Sequence, residues 1–258
     1  MAATITHSQL AGSTDEPLLT ETIGRIFDKT VEQYPEVEAL VVCHQGIRWN
    51  YKEYQREVDR LACGLLALGI EPGDRVSIWA PNCYEWCLTQ YATAKIGAIM
   101  VCINPAYRIY ELEYALNKVQ CKAIITAESF KSSDYLGMLR ELAPELSTCA
   151  PGQLQCAKLP HLETVIRMGD GASDGMFNFD PVCAMGGAVE KQRLGDIGSR
   201  LDPSAPINIQ FTSGTTGNPK GAALTHLNIL NNGKIVGDGM RLTEADRLCI
   251  PVPLYHCF

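Results

Sequence analysis

The sequence has no excess of positive charge and no long apolar run. Its 22 lysine and arginine residues are outnumbered by 29 aspartate and glutamate residues, which leaves a net charge of −7. A protein that binds the phosphate backbone of nucleic acids presents a basic surface, so this balance argues against a nucleic-acid partner. No stretch reaches the roughly 18 unbroken apolar residues of a membrane-spanning helix, and no span is predicted.

A targeting segment is also missing from the first residues. Residues 1–17 contain no lysine or arginine and no apolar core, whereas a secretory signal has both and a mitochondrial leader has a basic amphipathic pattern. We therefore expect a disordered lead-in over residues 1–17 and a cytoplasmic protein. The composition of the whole chain, 46% hydrophobic and 20% charged, is typical of a globular protein with a substantial core.

Cysteine is abundant, but its distribution does not suggest disulfides or a metal site. The 11 cysteines are odd in number and scattered, and several lie in apolar runs such as residues 101–103. Reduced, buried thiols fit this pattern better than a disulfide framework. Cys83 and Cys87 stand four residues apart on a predicted helix, but no histidine or second cysteine pair lies near them in sequence. No metal-binding residues are therefore predicted.

Short apolar runs alternate with amphipathic segments from residue 20 onward. Ile23, Phe27 and Val31 mark one face of a first helix. Asn50 and Glu53 have the spacing of a capping box at the start of a second helix. A hairpin is predicted at residues 39–43 and 47–49, further strands at residues 76–80, 98–103, 123–126, 164–167 and 207–211, and further helices at residues 82–96, 108–120 and 129–142.

This alternation predicts an α/β fold in which β-α units form a mostly parallel sheet with helices on both faces. The rhythm is interrupted at residues 151–160 and 169–206, where glycine and proline are frequent and apolar residues are not periodic. We expect a loop-rich insertion there, near residues 147–206 overall. A last apolar run at residues 248–255 predicts a strand.

The stretch between residues 212 and 220 has the composition of an anion-binding loop. Gly214 and Gly217 allow backbone N–H groups to point at a bound anion. Pro219 restricts the backbone just before Lys220, which supplies a positive charge. Hydroxyl groups that can donate to phosphate oxygens come from Thr212, Ser213, Thr215 and Thr216.

The loop suits a polyphosphate, yet it departs from the Walker A pattern, G-x-x-x-x-G-K-[ST]. Lys220 does not directly follow Gly217, and Gly221 takes the place of the magnesium-binding hydroxyl. A flexible linker rich in serine, threonine and glycine is the alternative that composition leaves open. Beyond the loop, Thr225 has the position of an N-cap for a helix that starts at His226, whose side chain is expected to cap or pack.

Residues 212–221, T-S-G-T-T-G-N-P-K-G, resemble the phosphate-loop signature of the adenylate-forming superfamily. This superfamily includes acyl-CoA synthetases, aryl-CoA ligases, luciferases and the adenylation domains of peptide synthetases. Similar motifs occur at residues 69–76, 81–82, 103–107 and 253–256. The resemblance covers almost the whole chain after the lead-in, and the motifs look most like those of the fatty-acyl-CoA synthetase branch.

The resemblance implies a reaction and a site. A carboxylic acid, in this branch a fatty acid, is activated by ATP to an acyl-adenylate, and CoA then takes the acyl group, with Mg²⁺ on the phosphates. The implied nucleotide contacts are Thr212, Ser213, Gly214, Thr215, Thr216, Gly217, Asn218, Pro219 and Lys220. Tyr255 and His256 are assigned to the wall of the acyl pocket, with a packed core histidine as the alternative for His256.

The superfamily pattern continues past residues 253–256 with a magnesium-binding glutamate, a ribose-binding aspartate and a small C-terminal domain that carries a catalytic lysine. None of these motifs occurs in the sequence. We therefore interpret residues 18–258 as an incomplete N-terminal portion of the large domain, without the small domain, and expect the chain to be inactive alone. A non-catalytic nucleotide-binding remnant and a ligase for aryl or other acids are the alternatives.

Overall fold

The computed structural model describes residues 15–212 and 218–256. Its helices are α1 (Ile23–Gln33), α2 (Tyr51–Ala67), α3 (Tyr84–Ile96), α4 (Ile109–Lys118), α5 (Tyr135–Leu142), α6 (Phe179–Cys183), α7 (Ala188–Gly198) and α8 (His226–Met240). Its strands are β1 (Glu38–Val42), β2 (Ile47–Asn50), β3 (Arg75–Trp79), β4 (Ile99–Cys102), β5 (Ala123–Thr126), β6 (Ser129–Phe130), β7 (Ser133–Asp134), β8 (Thr164–Arg167), β9 (Phe177–Asn178), β10 (Pro206–Thr212) and β11 (Lys220–Thr225).

Seven of these strands form one sheet in the order β11-β10-β4-β3-β5-β8-β9. Neighbouring strands from β10 to β9 run parallel, and β11 alone pairs antiparallel, with β10. The predicted mostly parallel sheet is therefore confirmed. Because parallel neighbours need a crossover, the helices between them lie against the sheet.

Helices cover both faces of the sheet, as predicted. On one face, α2, α3 and α6 pack on strand residues Val76, Ile78, Met100, Cys102 and Ile125. On the other, α4 and α5 pack on Trp79, Val101, Ile103, Ile124 and Val165. Successive strand residues point to opposite faces, so central strands with both faces covered need the unbroken apolar runs found in this sequence.

Local signals place several helix ends where the sequence predicts them. The side chain of Asn50 accepts a hydrogen bond from the Glu53 backbone N–H at 2.8 Å, and Glu53 accepts one from the Asn50 N–H at 3.0 Å. This reciprocal pair is the predicted capping box. Gly97 ends α3 with a φ of +72°, a conformation that residues with a Cβ rarely adopt.

Three predicted elements are wrong in their bounds or type. Residues 129–142 are not one helix, because Asp134 caps a helix that begins only at Tyr135, and the residues before it form the β6–β7 pair. The predicted helix at residue 82 begins at Tyr84 instead. The run at residues 248–255 has no regular structure, and in the described part of the chain no strand pairs with it.

The stretch at residues 169–206 is more regular than its composition predicts. It contains the edge strand β9 and the helices α6 and α7. Phe179 and Val182 of α6 are buried in the same core as Val76 and Ile78 of β3, and Gly64 of α2 leaves room for the Val182 carbonyl. A Cβ at residue 64 would lie 2.0 Å from that oxygen, so this close helix contact needs a glycine.

The ends of the chain are described in part. The predicted lead-in, residues 1–17, lies outside the described residues except for its last three. Among these, the Glu16 carboxylate accepts a hydrogen bond from Lys234 of α8 at 3.2 Å. No helix in residues 15–212 and 218–256 is long and apolar enough to cross a membrane.

Candidate functional site

The carboxyl ends of three adjacent strands gather the motif residues at one edge of the sheet. β4 lies between β3 and β10, and all three strands run in the same direction. Asn82 follows β3, Asn104 follows β4, and Thr212 is the last residue of β10. Strands β3 and β10 are two strand spacings, about 10 Å, apart. In open α/β sheets this edge is where ligands bind.

The predicted phosphate loop joins β10 to β11 at this edge. Thr212 and Lys220 face each other as Cα partners of the antiparallel pair, so both ends of the loop are fixed by the sheet. Both residues are exposed. The predicted contacts Ser213, Gly214, Thr215, Thr216 and Gly217 lie outside the described residues. A strand follows this loop, whereas a helix follows a Walker A loop.

Helix α4 supports the returning arm of the loop. The Tyr114 hydroxyl donates a hydrogen bond to the Pro219 carbonyl at 3.2 Å, and the Tyr110 hydroxyl lies 3.5 Å from Oδ1 of Asn218. The two tyrosines are four residues apart, so they share one face of the helix. Sequence reasoning did not identify either tyrosine, and their spacing in a predicted helix was the available signal.

Tyr255 and His256 lie in a segment without regular secondary structure, contrary to the predicted strand. Leu254 and Tyr255 pack against the core on the face of the sheet that α2, α3 and α6 cover. The Tyr255 and His256 rings meet edge to face, with 6.0 Å between their centroids. Burial raises the pKa of Tyr107, and the nearby Glu111 carboxylate and Tyr255 phenol raise it further. The Tyr255 phenol is therefore near enough to Tyr107, the last residue of the motif at residues 103–107, to affect the pKa of its hydroxyl.

No group of three histidine, cysteine, aspartate or glutamate side chains that could hold a metal ion occurs in the part of the chain that the structure describes. The described loop residues Thr212 and Asn218 carry oxygen atoms of the kind that Mg²⁺ prefers, but no carboxylate. If Mg²⁺ were to bind at this loop, Thr212 and Asn218 would offer it neutral oxygen atoms, and the ion would neutralise part of the charge on the phosphates.

His226 is a packing residue, as expected. It is 1% exposed at the start of α8, and its Nδ1 accepts a hydrogen bond from the Ile23 backbone N–H at 3.2 Å. Thr225 caps the helix by accepting a hydrogen bond from the Asn228 N–H at 3.1 Å. Burial lowers the pKa of His226 to about 4, against the opposing effect of Asp202. The histidine therefore joins α1 to α8 in its neutral form.

This lowered pKa predicts a loss of stability in weak acid. The unfolded chain takes up a proton on His226 below pH 6.5, whereas the folded chain resists it down to about pH 4. The neutral His226 therefore contributes fully to the free energy of unfolding above pH 6.5. This free energy falls by about 2–3 kcal/mol as the pH is lowered towards 4. Urea midpoints at pH 7 and pH 4.5 measure it.

The control for this prediction is His226→Gln, because a glutamine carbonyl can also accept the Ile23 N–H and does not titrate. The variant should lose less stability than the wild-type chain between the two pH values. An equal loss in both proteins would show that other groups cause the pH dependence.

Comparisons with known proteins agree with the resemblance in the sequence. A family model described as AMP-binding enzyme matches residues 27–258. The mitochondrial medium-chain acyl-CoA ligase ACSF2 of Danio rerio is 46% identical over 257 residues, which cover 99% of this chain and 42% of that protein. Its Rattus norvegicus counterpart is 45% identical, over 97% of this chain and 41% of that protein.

The fold is also similar to that of a solved structure. The long-chain-fatty-acid-CoA ligase FadD1 from Archaeoglobus fulgidus superposes with a TM-score of 0.73 at 20% identity, covering 96% of this chain and 45% of that one. At this identity the likeness concerns the fold alone. The chain spans less than half the length of the curated relatives above, 42% and 41%.

Proposed function

Because the chain belongs to the family of AMP-binding enzymes, we propose that the full-length protein activates a fatty acid with ATP and transfers it to CoA. In the first step a carboxylate oxygen attacks the α-phosphorus of ATP, and the bond to pyrophosphate breaks. In the second step the CoA sulfur attacks the acyl carbon of the adenylate and loses its proton, and AMP departs. The products are AMP, pyrophosphate and the acyl-CoA thioester.

The observation that carries this proposal is the position of Lys220 opposite Thr212 at the carboxyl edge of the sheet. An exposed ammonium and an exposed hydroxyl lie on the two arms of one loop, so both can reach the same phosphate group. This chemistry needs substrates held in line and charge stabilised on the departing pyrophosphate. Mg²⁺, when bound, would neutralise part of the phosphate charge.

The acid is proposed to be aliphatic and of medium chain length. Support comes from the relatives, which are medium-chain ligases at 46% and 45% identity, and from the apolar packing of Leu254 beside Tyr255. The cytoplasmic location stays a prediction, since the names of these relatives include the word mitochondrial.

The test of this proposal is ATP–pyrophosphate exchange by the full-length protein with a panel of fatty, aryl and amino acids. We expect the highest kcat/KM with a medium-chain fatty acid and a weak response to aryl acids. Preference for an amino acid, or no exchange with any carboxylic acid, would refute the proposal. Preference for an aryl acid would keep the reaction and reject the fatty acid.

A further inference from the structure

The side chain of Asn82 does not have the capping role that the sequence predicts for it. It was predicted to open α3, but Cys83 is the N-cap of that helix and makes no side-chain capping bond. Asn82 lies three residues after the end of β3, at the sheet edge that carries the candidate site. Its side chain is therefore available for a different contact.

That contact is with the segment that leads to Tyr255. Nδ2 of Asn82 donates a hydrogen bond to the Val252 carbonyl at 2.9 Å, and Oδ1 accepts one from the Leu254 N–H at 2.7 Å. One amide side chain thus pairs with an acceptor and a donor two residues apart, as a neighbouring strand would. The segment has no strand partner in the described part of the chain, so this amide replaces one.

The hydrogen bonds fix the residues that follow. Tyr255 comes directly after Leu254, and the His256 N–H donates a hydrogen bond to the Pro253 carbonyl at 3.1 Å. Pro253 therefore lies between Val252 and Leu254, the two residues that Asn82 holds. Its carbonyl accepts the hydrogen bond from His256. A shift of Leu254 would move both aromatic side chains, which have no helix or strand of their own to fix them.

We infer that Asn82 is a positioning residue for the carboxylic-acid substrate, holding residues 252–254 so that Tyr255 and His256 face the acid. The role rests on the proposed function, because it assumes that these two side chains line the acid pocket. It assigns no contact between Asn82 and the substrate. Loss of the amide should therefore weaken use of the acid and leave use of ATP unchanged.

The first measurement is steady-state kinetics of the full-length protein. Asn82→Ala removes both hydrogen bonds, and we expect the KM for the acid to rise about 10-fold while the KM for ATP stays constant. Asn82→Asp keeps the acceptor for Leu254 and loses the donor to Val252, so its KM for the acid should lie between wild type and Asn82→Ala. The aspartate variant also preserves the side-chain size if the alanine variant folds poorly.

The second measurement does not depend on activity. Hydrogen exchange of the Leu254 amide should become about 10-fold faster in Asn82→Ala and should stay near the wild-type rate in Asn82→Asp. The matched control is Asn178→Ala on the outermost strand β9, which is three strands from β3 in the sheet order. Asn178 donates through its amide to the carbonyls of Gly169 and Gly171 at 2.9 and 2.8 Å, so its loss should change neither KM nor the exchange of Leu254.

The outcomes separate the two hypotheses. A wild-type protein that forms no adenylate with any carboxylic acid refutes the proposed function, and the positioning role with it. If the wild type is active and the Asn82→Ala variant keeps its KM for the acid, only the role of Asn82 is refuted. The same holds if the KM for ATP and the KM for the acid rise by the same factor. Unchanged exchange of Leu254 in Asn82→Ala refutes it as well.

Discussion

Replacing Lys220 by alanine in the full-length protein is expected to slow adenylate formation about 100-fold. Lys220 is the first residue of β11 and is held opposite Thr212 by the strand pair. A cation fixed in this way can stabilise the negative charge that grows on the departing pyrophosphate without first being ordered. The loss should appear in pyrophosphate exchange, and with every acid that the protein accepts.

The fold should tolerate this substitution, because Lys220 is exposed and starts an edge strand. Surface changes of this kind alter the free energy of unfolding by about 0.5 kcal/mol or less. Lys118→Ala is the matched control, since Lys118 is an exposed lysine at the end of α4 and should keep the wild-type rate. Unchanged exchange in Lys220→Ala, with a normal thermal transition, would contradict the assignment of this lysine.

The sequence was informative where local chemistry decides the structure. The strands β4 and β5 are short, almost entirely apolar runs buried on both faces, a pattern that few other structures produce. Asn50 with Glu53 and the glycine at residue 97 determine helix ends through bonds and backbone angles within a few residues. These elements could be predicted because their signals do not depend on distant partners.

Distant partners explain what the sequence did not reveal. Residues 220–225 contain small residues with little strand preference, and they form β11 because β10 supplies the hydrogen bonds. Residues 248–255 show the converse, an apolar run that is not a strand because no described strand lies beside it. The supports of the site, Asn82 and Tyr114, act across 170 and 105 residues of sequence, and no local pattern reports such contacts.

Trp79→Ala should lower the free energy of unfolding of the 258-residue chain by about 3–5 kcal/mol. Trp79 ends the central strand β3, and its side chain is fully buried. Its ring stacks on Tyr135 at 3.8 Å, and its Nε1–H donates to the Asn104 carbonyl at 3.2 Å. Alanine would leave a cavity between the sheet and α5 and would remove one of the two hydrogen bonds that the Asn104 carbonyl accepts, the other coming from the Tyr107 N–H at 3.0 Å. Equilibrium unfolding in urea measures the loss.

Trp79→Phe separates the two contributions of this side chain. Phenylalanine keeps much of the ring packing on Tyr135 but lacks the N–H donor, so its loss should be about 1–3 kcal/mol, clearly below that of alanine. Trp49→Ala is the control, because Trp49 is only partly buried in the β1–β2 hairpin. Its substitution should lower the free energy of unfolding by less than that of Trp79. If Trp79→Ala cost no more than Trp49→Ala, the stacked ring would not stabilise the central sheet. Trp79 holds the turn at residues 104–107 through the Asn104 carbonyl, and the Tyr135 hydroxyl holds it through the Pro105 carbonyl at 2.6 Å. In that case other contacts would determine the position of this turn.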